Sequence, residues 1–312
     1  MIYDCFIFND ELDLLELRLR FLNDTVDKFV LVESERTLSG NNKLLHYKNN
    51  QSRFREFENK IVHLIAPSNN FPAWDYEFFQ RNYIKEGLQN CNEEDIIFIS
   101  DADEIVNIRN VLAAKNFQPP ALVEIPMNYY FLNMMTNSVY KVNLVSKWSF
   151  IKDKDIGYRF KEYPELTKHI ISHKEIHTGW HFSYLYGKNI CKYQEKLKAF
   201  SHQEYNTPYY LNSKRINRCI SFGIDLFERP FMRLKKSDTK LSPLIPYLEN
   251  SPLKKNIYKN ADLKEYLSPS IIFFFLHKVY YKRIKYLLMN SFFYKKIKYL
   301  LKKIILSKVT EK

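Results

Sequence analysis

Three carboxylates stand within four residues at Asp101-Ala102-Asp103-Glu104, directly after the apolar run Ile96-Ile97-Phe98-Ile99-Ser100. A short apolar run bounded by polar residues reads as a buried strand. In open α/β sheets the ligand crevice lies outside the carboxyl ends of the strands. Carboxylates at that place can hold a hard divalent cation, Mn²⁺ or Mg²⁺, and the cation can hold a diphosphate. On an extended chain Asp101 and Asp103 point the same way, so both can reach one ion, which would neutralise a departing nucleoside diphosphate. The pattern points to a protein that handles a nucleotide or a nucleotide-sugar. The competing reading is that the acids cap the helix after the strand; Glu104 either supports the ion from behind or complements that helix's dipole.

Other residues could serve the same chemistry. Glu33 ends the apolar run KFVLVE, where an acid can accept from ribose hydroxyls or the base. Glu77 and Arg81 are spaced i, i+4: an ordinary helical ion pair worth about 0.3 kcal/mol, or, with Gln80, groups that face a bound phosphate or sugar. His177 and His181 flank Thr178-Gly179-Trp180. A neutral imidazole at His181 could be a third metal ligand beside Asp101 and Asp103, and Trp180 could stack on a sugar or base. Transfer with inversion needs a general base; Glu104, Asp153, Glu162 and Glu165 are all open.

The elements that must position these groups read as strands alternating with helices. Ile2–Phe8, Lys28–Glu33, Ile61–Ala66 and Ile96–Ser100 are expected strands. Asp10 can cap a helix carrying Leu12, Leu15, Leu19 and Leu22 on one face. Trp74–Gln89 is an expected helix with Trp74, Phe78, Ile84 and Leu88 inward. Ile105–Lys115 reads as a short helix, Ala121–Pro126, Tyr129–Met135 and Val142–Phe150 as strands, and Cys191–Ser201 and Ser213–Phe227 as helices. This alternation implies α/β architecture, one Rossmann-type domain with a mixed, mostly parallel sheet.

Composition excludes several classes. With only 6 glycines and neither G-x-x-x-x-G-K-[ST] nor G-x-G-x-x-G, the 312-residue chain is not expected to be a P-loop enzyme or an ordinary dinucleotide dehydrogenase. Cys5, Cys91, Cys191 and Cys219 form no C-x-x-C, so a reduced chain without a zinc module is expected. The N-terminus does not read as a signal peptide. The net charge of +13 is concentrated between Ile271 and Lys312, where eleven Lys and Arg face one Glu. That tail repeats itself: Tyr281-Lys282-Arg283-Ile284-Lys285-Tyr286-Leu287-Leu288 returns as Tyr294-Lys295-Lys296-Ile297-Lys298-Tyr299-Leu300-Leu301. The 13-residue offset turns the second apolar stripe roughly 140° from the first, which predicts two amphipathic helices broken near Asn290-Ser291. Basic residues beside apolar ones suit an anionic membrane surface, at about 1 kcal/mol each. Nucleic-acid binding is disfavoured, because the charge does not line a groove.

Ordered motifs carry a family resemblance: Asp4-Cys5-Phe6 with Asn9-Asp10-Glu11-Leu12, Val30-Leu31-Val32-Glu33-Ser34 with Arg36-Thr37, Glu77 with Gln80-Arg81-Asn82, Ser100-Asp101-Ala102-Asp103-Glu104-Ile105, Gly179-Trp180-His181-Phe182-Ser183-Tyr184, Lys196 with Ser201-His202-Gln203-Glu204, and Gly223-Ile224-Asp225. In this order they resemble the bacterial branch of glycosyltransferase family 17. The resemblance implies a GT-A-like fold and inverting transfer from a nucleotide-sugar donor, with UDP-GlcNAc as family precedent, assisted by a divalent metal. Asp103, Glu104 and His181 would serve catalysis. Glu33, Glu77, Gln80, Arg81, Asp101 and Trp180 would hold the donor. The expected organisation is a transferase domain over 1–230, a Pro-containing linker or wrapping segment over 231–270 and the basic tail over 271–312. The enzyme is expected in the cytoplasm on the inner membrane face, acting on a glycan or lipid-linked acceptor. A nucleotidyl- or phosphotransferase using the same acids, and a basic binding protein without chemistry, are the alternatives.

Overall fold

The computed structural model describes residues 1–157, 169–229, 232 and 234–259. Its centre is one mixed sheet. Four parallel strands, β1 (Ile2–Ile7), β2 (Lys28–Glu33), β3 (Ile61–Ile65) and β4 (Ile96–Ile99), lie in the order β3-β2-β1-β4. β1 and β2 are apolar and buried almost throughout, as strands covered on both faces must be. Beyond β4 the sheet turns mixed. β7 (Met134–Lys147) runs antiparallel to β4, β6 (Ala121–Tyr129) antiparallel to β7, and β9 (Gly179–Ser183) parallel to β6. β5 (Glu104–Val106) closes the path against β9. The short strands β8 (Ile170–Ile171) and β10 (Leu234–Lys236) pair with β6 and β7.

Two sequence expectations change here, each because tertiary pairing overrides a local signal. Glu104–Val106 is a strand, and the helix that follows, α4 (Ile108–Leu112), starts only after Asn107, whose side chain caps it at Asn110 N. Pro126 does not end a strand: β6 continues through it to Tyr129, with the register shifting between Pro126 and Asn128. A proline is tolerated at such an irregularity because the ladder hydrogen bond is already lost. The chain then turns through Tyr130, in the left-handed region at φ 66°, into β7. Gly179 opens β9 at φ 135°, and a Cβ there would stand 2.2 Å from Ile105 O, so β5 and β9 can approach only across a glycine.

α1 (Leu12–Leu22) buries Leu15, Leu19 and Leu22 as the spacing predicts, and also Leu14, Leu17 and Arg18. It is covered on more than one side because residues 239–256 pack on it: Leu241, Leu244, Leu248 and Leu253 share its core, and Phe21 meets Tyr247 edge-on at 5.8 Å. α3 (Ala73–Tyr83) buries Tyr76, Gln80 and Arg81 and leaves Trp74 half-exposed, whereas Ile84 and Leu88, just beyond it, are buried as expected, so only part of the inward face is the apolar one expected. α2 (His46–Asn49) and α5 (Trp148–Ile151) are single helical turns, the latter replacing the end of the strand expected over Val142–Phe150. α6 (Ile190–Ala199) and α7 (Ser213–Phe222) pack together, and Gly223 ends α7 in the left-handed conformation. The tail over 271–312, with its predicted helix break, lies outside the described residues, as do Glu162 and Glu165. No helix among the described residues is long and apolar enough to cross a membrane.

Arg18 links these layers. Its guanidinium is fully buried and paired with Asp4 of β1 through two bonds of 2.7 and 2.6 Å. The remaining N–H groups go to the loop after β4: the carbonyls of Asp101 at 2.7 Å and Glu104 at 3.0 Å, and Ser100 Oγ at 2.6 Å. The Phe6 ring lies under it at 4.1 Å. Removing one partner of a buried ion pair costs about 3–5 kcal/mol, because the other charge is stranded. Arg18→Met is therefore expected to lower unfolding free energy by about that amount in urea titrations. The double variant Asp4→Leu, Arg18→Leu should recover part of the loss while the loop over 100–104 remains unprotected in hydrogen exchange. A single variant as stable as the wild type would contradict this role.

Candidate active site

The loop that Arg18 holds opens on a cleft of about 480 Å³ at the carboxyl ends of the parallel strands. Asp101, Asp103 and Glu104 line it, with Gln80 and Glu77 from α3, His181 and Ser183 from β9, and Lys196 from α6. The polar loop after β2 spans the opening: Ser39 donates to Lys198 O at 2.6 Å at the end of α6, and Arg36, Leu38 and Lys43 face the cavity.

The acids are not extended as expected. Asp101-Ala102-Asp103 is a turn, closed by the Glu104 N–H on Asp101 O at 2.9 Å and by the Asp101 N–H on Glu104 Oε2 at 2.8 Å. The two aspartates reach different partners. Asp101 Oδ1 lies 3.4 Å from Arg81. Asp103 Oδ2 accepts from Lys196 at 2.9 Å, and its Oδ1 is 3.7 Å from His181 Nε2. Burial works to protonate Asp103, but Lys196 and His181 outweigh it and hold the carboxyl below its ordinary pKa. Burial lowers the Lys196 pKa, and Asp103 more than reverses this. Glu104 behaves oppositely: burial, then the Asp103 charge, push it up to about 8 against Arg81 and Arg18. At neutral pH Asp103 is a carboxylate and Glu104 mostly a neutral acid. Glu11, at the start of α1, also lines the cleft, 3.8 Å from Lys196. Burial and Asp10 raise its proton affinity.

The predicted residues divide into three groups. Asp101, Asp103, Glu104, Glu77, Gln80 and His181 meet in the cleft. His181 packs edge-on against Tyr140 with centroids 4.2 Å apart. Arg81 stands behind the lining: it is buried, and its N–H groups go to Glu77 at 2.6 Å, Gly157 O at 2.6 Å and Asp101, so it positions an acid. Glu33 and Trp180 are not in the cleft. Glu33 is fully buried and accepts from the Tyr47 and Lys48 N–H groups and from His63 at 2.8 Å, anchoring the turn over His46–Asn49. Trp180 alternates with His181 along β9 and faces the core, where its indole N–H donates to Lys240 O at 2.8 Å and Phe182 stacks beside it. Asp153 is on the surface.

Two cleft groups carry unmet hydrogen-bonding capacity. Among the described residues the Gln80 side-chain amide nitrogen and the Tyr184 hydroxyl are buried without a partner. Tyr184 also holds a left-handed φ of 53°. Buried polar groups are normally satisfied, and strained, unsatisfied ones cluster where ligands bind. The sequence motifs contained Tyr184 and Lys196 but gave them no task; what identifies them is the left-handed turn at Tyr184, which breaks the alternation that would send it to the core with Trp180 and Phe182, and the reach of α6 to Asp103. Trp74 and Arg229 also line the cleft.

No three His, Cys, Asp or Glu side chains are gathered closely enough to hold a metal among the described residues. The donor chemistry still suits a hard ion: Mg²⁺ and similar ions are commonly held by one or two carboxylates plus substrate phosphates, without an all-protein cage. Asp101 and Asp103 offer two carboxylates to the cleft.

The profile of glycosyltransferase family 17 matches residues 1–269. Over 117 residues the chain is similar to β-1,4-mannosyl-glycoprotein 4-β-N-acetylglucosaminyltransferase of Homo sapiens, at 29% identity, and to the Rattus norvegicus protein at the same identity. That stretch is 34% of this chain and 22% of each relative. Among solved structures the chain is similar to HddC from Yersinia pseudotuberculosis, at 10% identity and TM-score 0.35, over 59% of this chain and 90% of that one. It is also similar to 2-C-methyl-D-erythritol 4-phosphate cytidylyltransferase of Francisella tularensis, at 10% identity and TM-score 0.28, over 55% and 89%. Likeness of that degree transfers no chemistry. The family match, by contrast, runs through all ten strands of the described residues and every acid of the cleft, and the chain belongs to glycosyltransferase family 17.

Proposed function

We propose that the chain binds a nucleotide-sugar in this cleft, in a GT-A-like manner, and passes the sugar with inversion to a glycan or lipid-linked acceptor. The observation that carries the reading is the pinned turn holding Asp101 and the ionised Asp103 against a cleft with unsatisfied Gln80 and Tyr184 groups. The relatives' names support N-acetylglucosamine as the sugar, hence UDP-GlcNAc as donor. The basic stretch over 271–312 supports work at an anionic membrane surface on the cytoplasmic side.

Asp101 and Asp103 would hold Mn²⁺ or Mg²⁺, with His181 beside Asp103. When bound, the ion supplies positive charge to the diphosphate leaving group. The chain's own groups do the rest. Lys196 keeps Asp103 ionised and brings a second positive charge to the same place. Arg81 and Arg18, behind the loop, hold Asp101 in position. Gln80 and Tyr184 offer hydrogen bonds to the sugar.

Trp74 takes the stacking role that Trp180 cannot. It is 39% exposed, lines the cleft and meets His202 edge-on at 4.6 Å. Of three tryptophans, Trp180 is in the core and Trp148 packs against another apolar cluster. UDP should therefore quench the protein's fluorescence, and Trp74→Leu should remove the quenching; persistence in that variant would place the base elsewhere.

Two measurements test the main reading. With Mn²⁺ and a panel of nucleotide-sugars, Asp101→Ala with Asp103→Ala should lose transfer by about 10³-fold or more with an unchanged circular dichroism spectrum. EDTA should abolish wild-type turnover and Mn²⁺ restore it. A fully active double variant would refute the role of the acids.

A further inference from the structure

A transferase must bring two molecules to one point, and a second cavity meets the cleft there. It encloses about 280 Å³ and shares Glu11, Asp103 and Lys196 with the cleft, so these three form the partition. Its other walls come from the N-terminus of α1, the turn between β9 and α6, and residues 253–256. Its charges balance, four carboxylates against four cations, and they neutralise one another: Lys192 holds Asp10 at 3.0 Å, and Arg53 holds Asp13 at 2.8 Å. Such a cavity has no excess charge for a phosphate. It offers hydrogen-bonding groups, including the Asn189 amide, and the Tyr186 ring, which suit a neutral, polyhydroxylated ligand.

Glu11 Oε2 accepts from the Asp10 N–H at 3.1 Å, and its other oxygen faces Lys196. The residue stands at the N-cap of α1, where Ser, Thr, Asp or Asn would accept a helix N–H, and its side chain makes no such bond. It is 3.8 Å from Lys196, whereas Asp103 is committed to that ammonium at 2.9 Å. Glu104, the other buried acid nearby, does not reach the second cavity. Glu11 is thus the carboxylate open to both spaces and not tied up in holding the donor.

We propose that the second cavity receives the acceptor, a neutral sugar residue, and that Glu11 in the partition takes the proton from its attacking hydroxyl. The inference rests on the glycosyl-transfer reading above. The acceptor oxygen forms a bond to the anomeric carbon of the donor sugar. The bond from that carbon to the diphosphate oxygen breaks, its electron pair leaving with the diphosphate. The hydroxyl proton passes to the Glu11 carboxylate and from there to water.

The test uses the full chain with Mn²⁺, a panel of nucleotide-sugars and p-nitrophenyl hexosides as acceptors. Glu11→Gln should lower kcat for transfer by about 10²-fold or more, leaving the nucleotide-sugar Kd from calorimetry within about twofold, and Glu11→Asp should recover part of the rate. Asn189→Trp, at the exposed rim, should raise KM for the hexoside about tenfold without moving the nucleotide-sugar Kd (roughly 1.4 kcal/mol). A Glu11→Gln enzyme with near wild-type transfer, an unchanged hexoside KM in Asn189→Trp, or loss of donor binding in either variant would overturn the assignment. A merely structural Glu11 would shift Tm and donor Kd together with kcat. If the wild type transfers no sugar from any donor in the panel, the glycosyl-transfer reading itself fails and the inference falls with it.

Discussion

The buried guanidinium of Arg18 is the constraint from which the site follows. A charge with no exposure must have its hydrogen bonds met internally, and here Asp4 of β1 and the backbone of the loop after β4 meet them. One side chain thus ties the central strand, the first helix and the acid loop into a single unit. The loop's carbonyls point inward to Arg18, so its aspartate side chains are directed to the cleft. Arg81 repeats the device from α3 with Gly157 O, Glu77 and Asp101. Neither arginine lines the cleft, yet both decide where its acids stand.

The same constraint separates the ionisation of neighbouring carboxyls. Asp103 faces Lys196 and His181 and stays ionised, whereas Glu104, one residue on, lies deeper against the Asp103 charge and keeps its proton at neutral pH. Two adjacent acids in different protonation states can do different work: one attracts a cation, the other donates or accepts a hydrogen bond without repelling a diphosphate. Lys196 sits at the hinge of this arrangement, since it also forms part of the wall between the two cavities.

Much of this was legible in the sequence where period and position agreed. The four parallel strands, the Leu-rich helix and the acid cluster after Ile96–Ser100 could be read directly, because buried strands are apolar runs and acids after them mark a crevice. The errors have common physical causes. Trp180 and His181 are adjacent, and strand alternation sends them to opposite faces, which no motif match reveals. Glu33 looked like a ligand group, but Tyr47 and Lys48, 14 and 15 residues on, supply its backbone partners. Arg18, amid leucines, resembles a solvated helix charge until Asp4 is seen to lie beside it. Within the segment over 231–270 that the prolines mark as a linker or wrapping segment, residues 239–256 supply leucines to the core around α1, which no pattern in the sequence foretells. Trp74 and Tyr184 become notable only from exposure and unmet hydrogen bonding, which depend on the assembled structure.

The central claim is that the acids at the end of β4 serve sugar transfer and not nucleotide transfer. Phosphorus NMR of the products, after incubation with nucleotide-sugars, Mn²⁺ and a glycan acceptor, distinguishes the two most directly. Release of a nucleoside diphosphate, with the sugar attached to the acceptor in inverted configuration, is the predicted result. Pyrophosphate, or a nucleotidylated acceptor, would contradict the account.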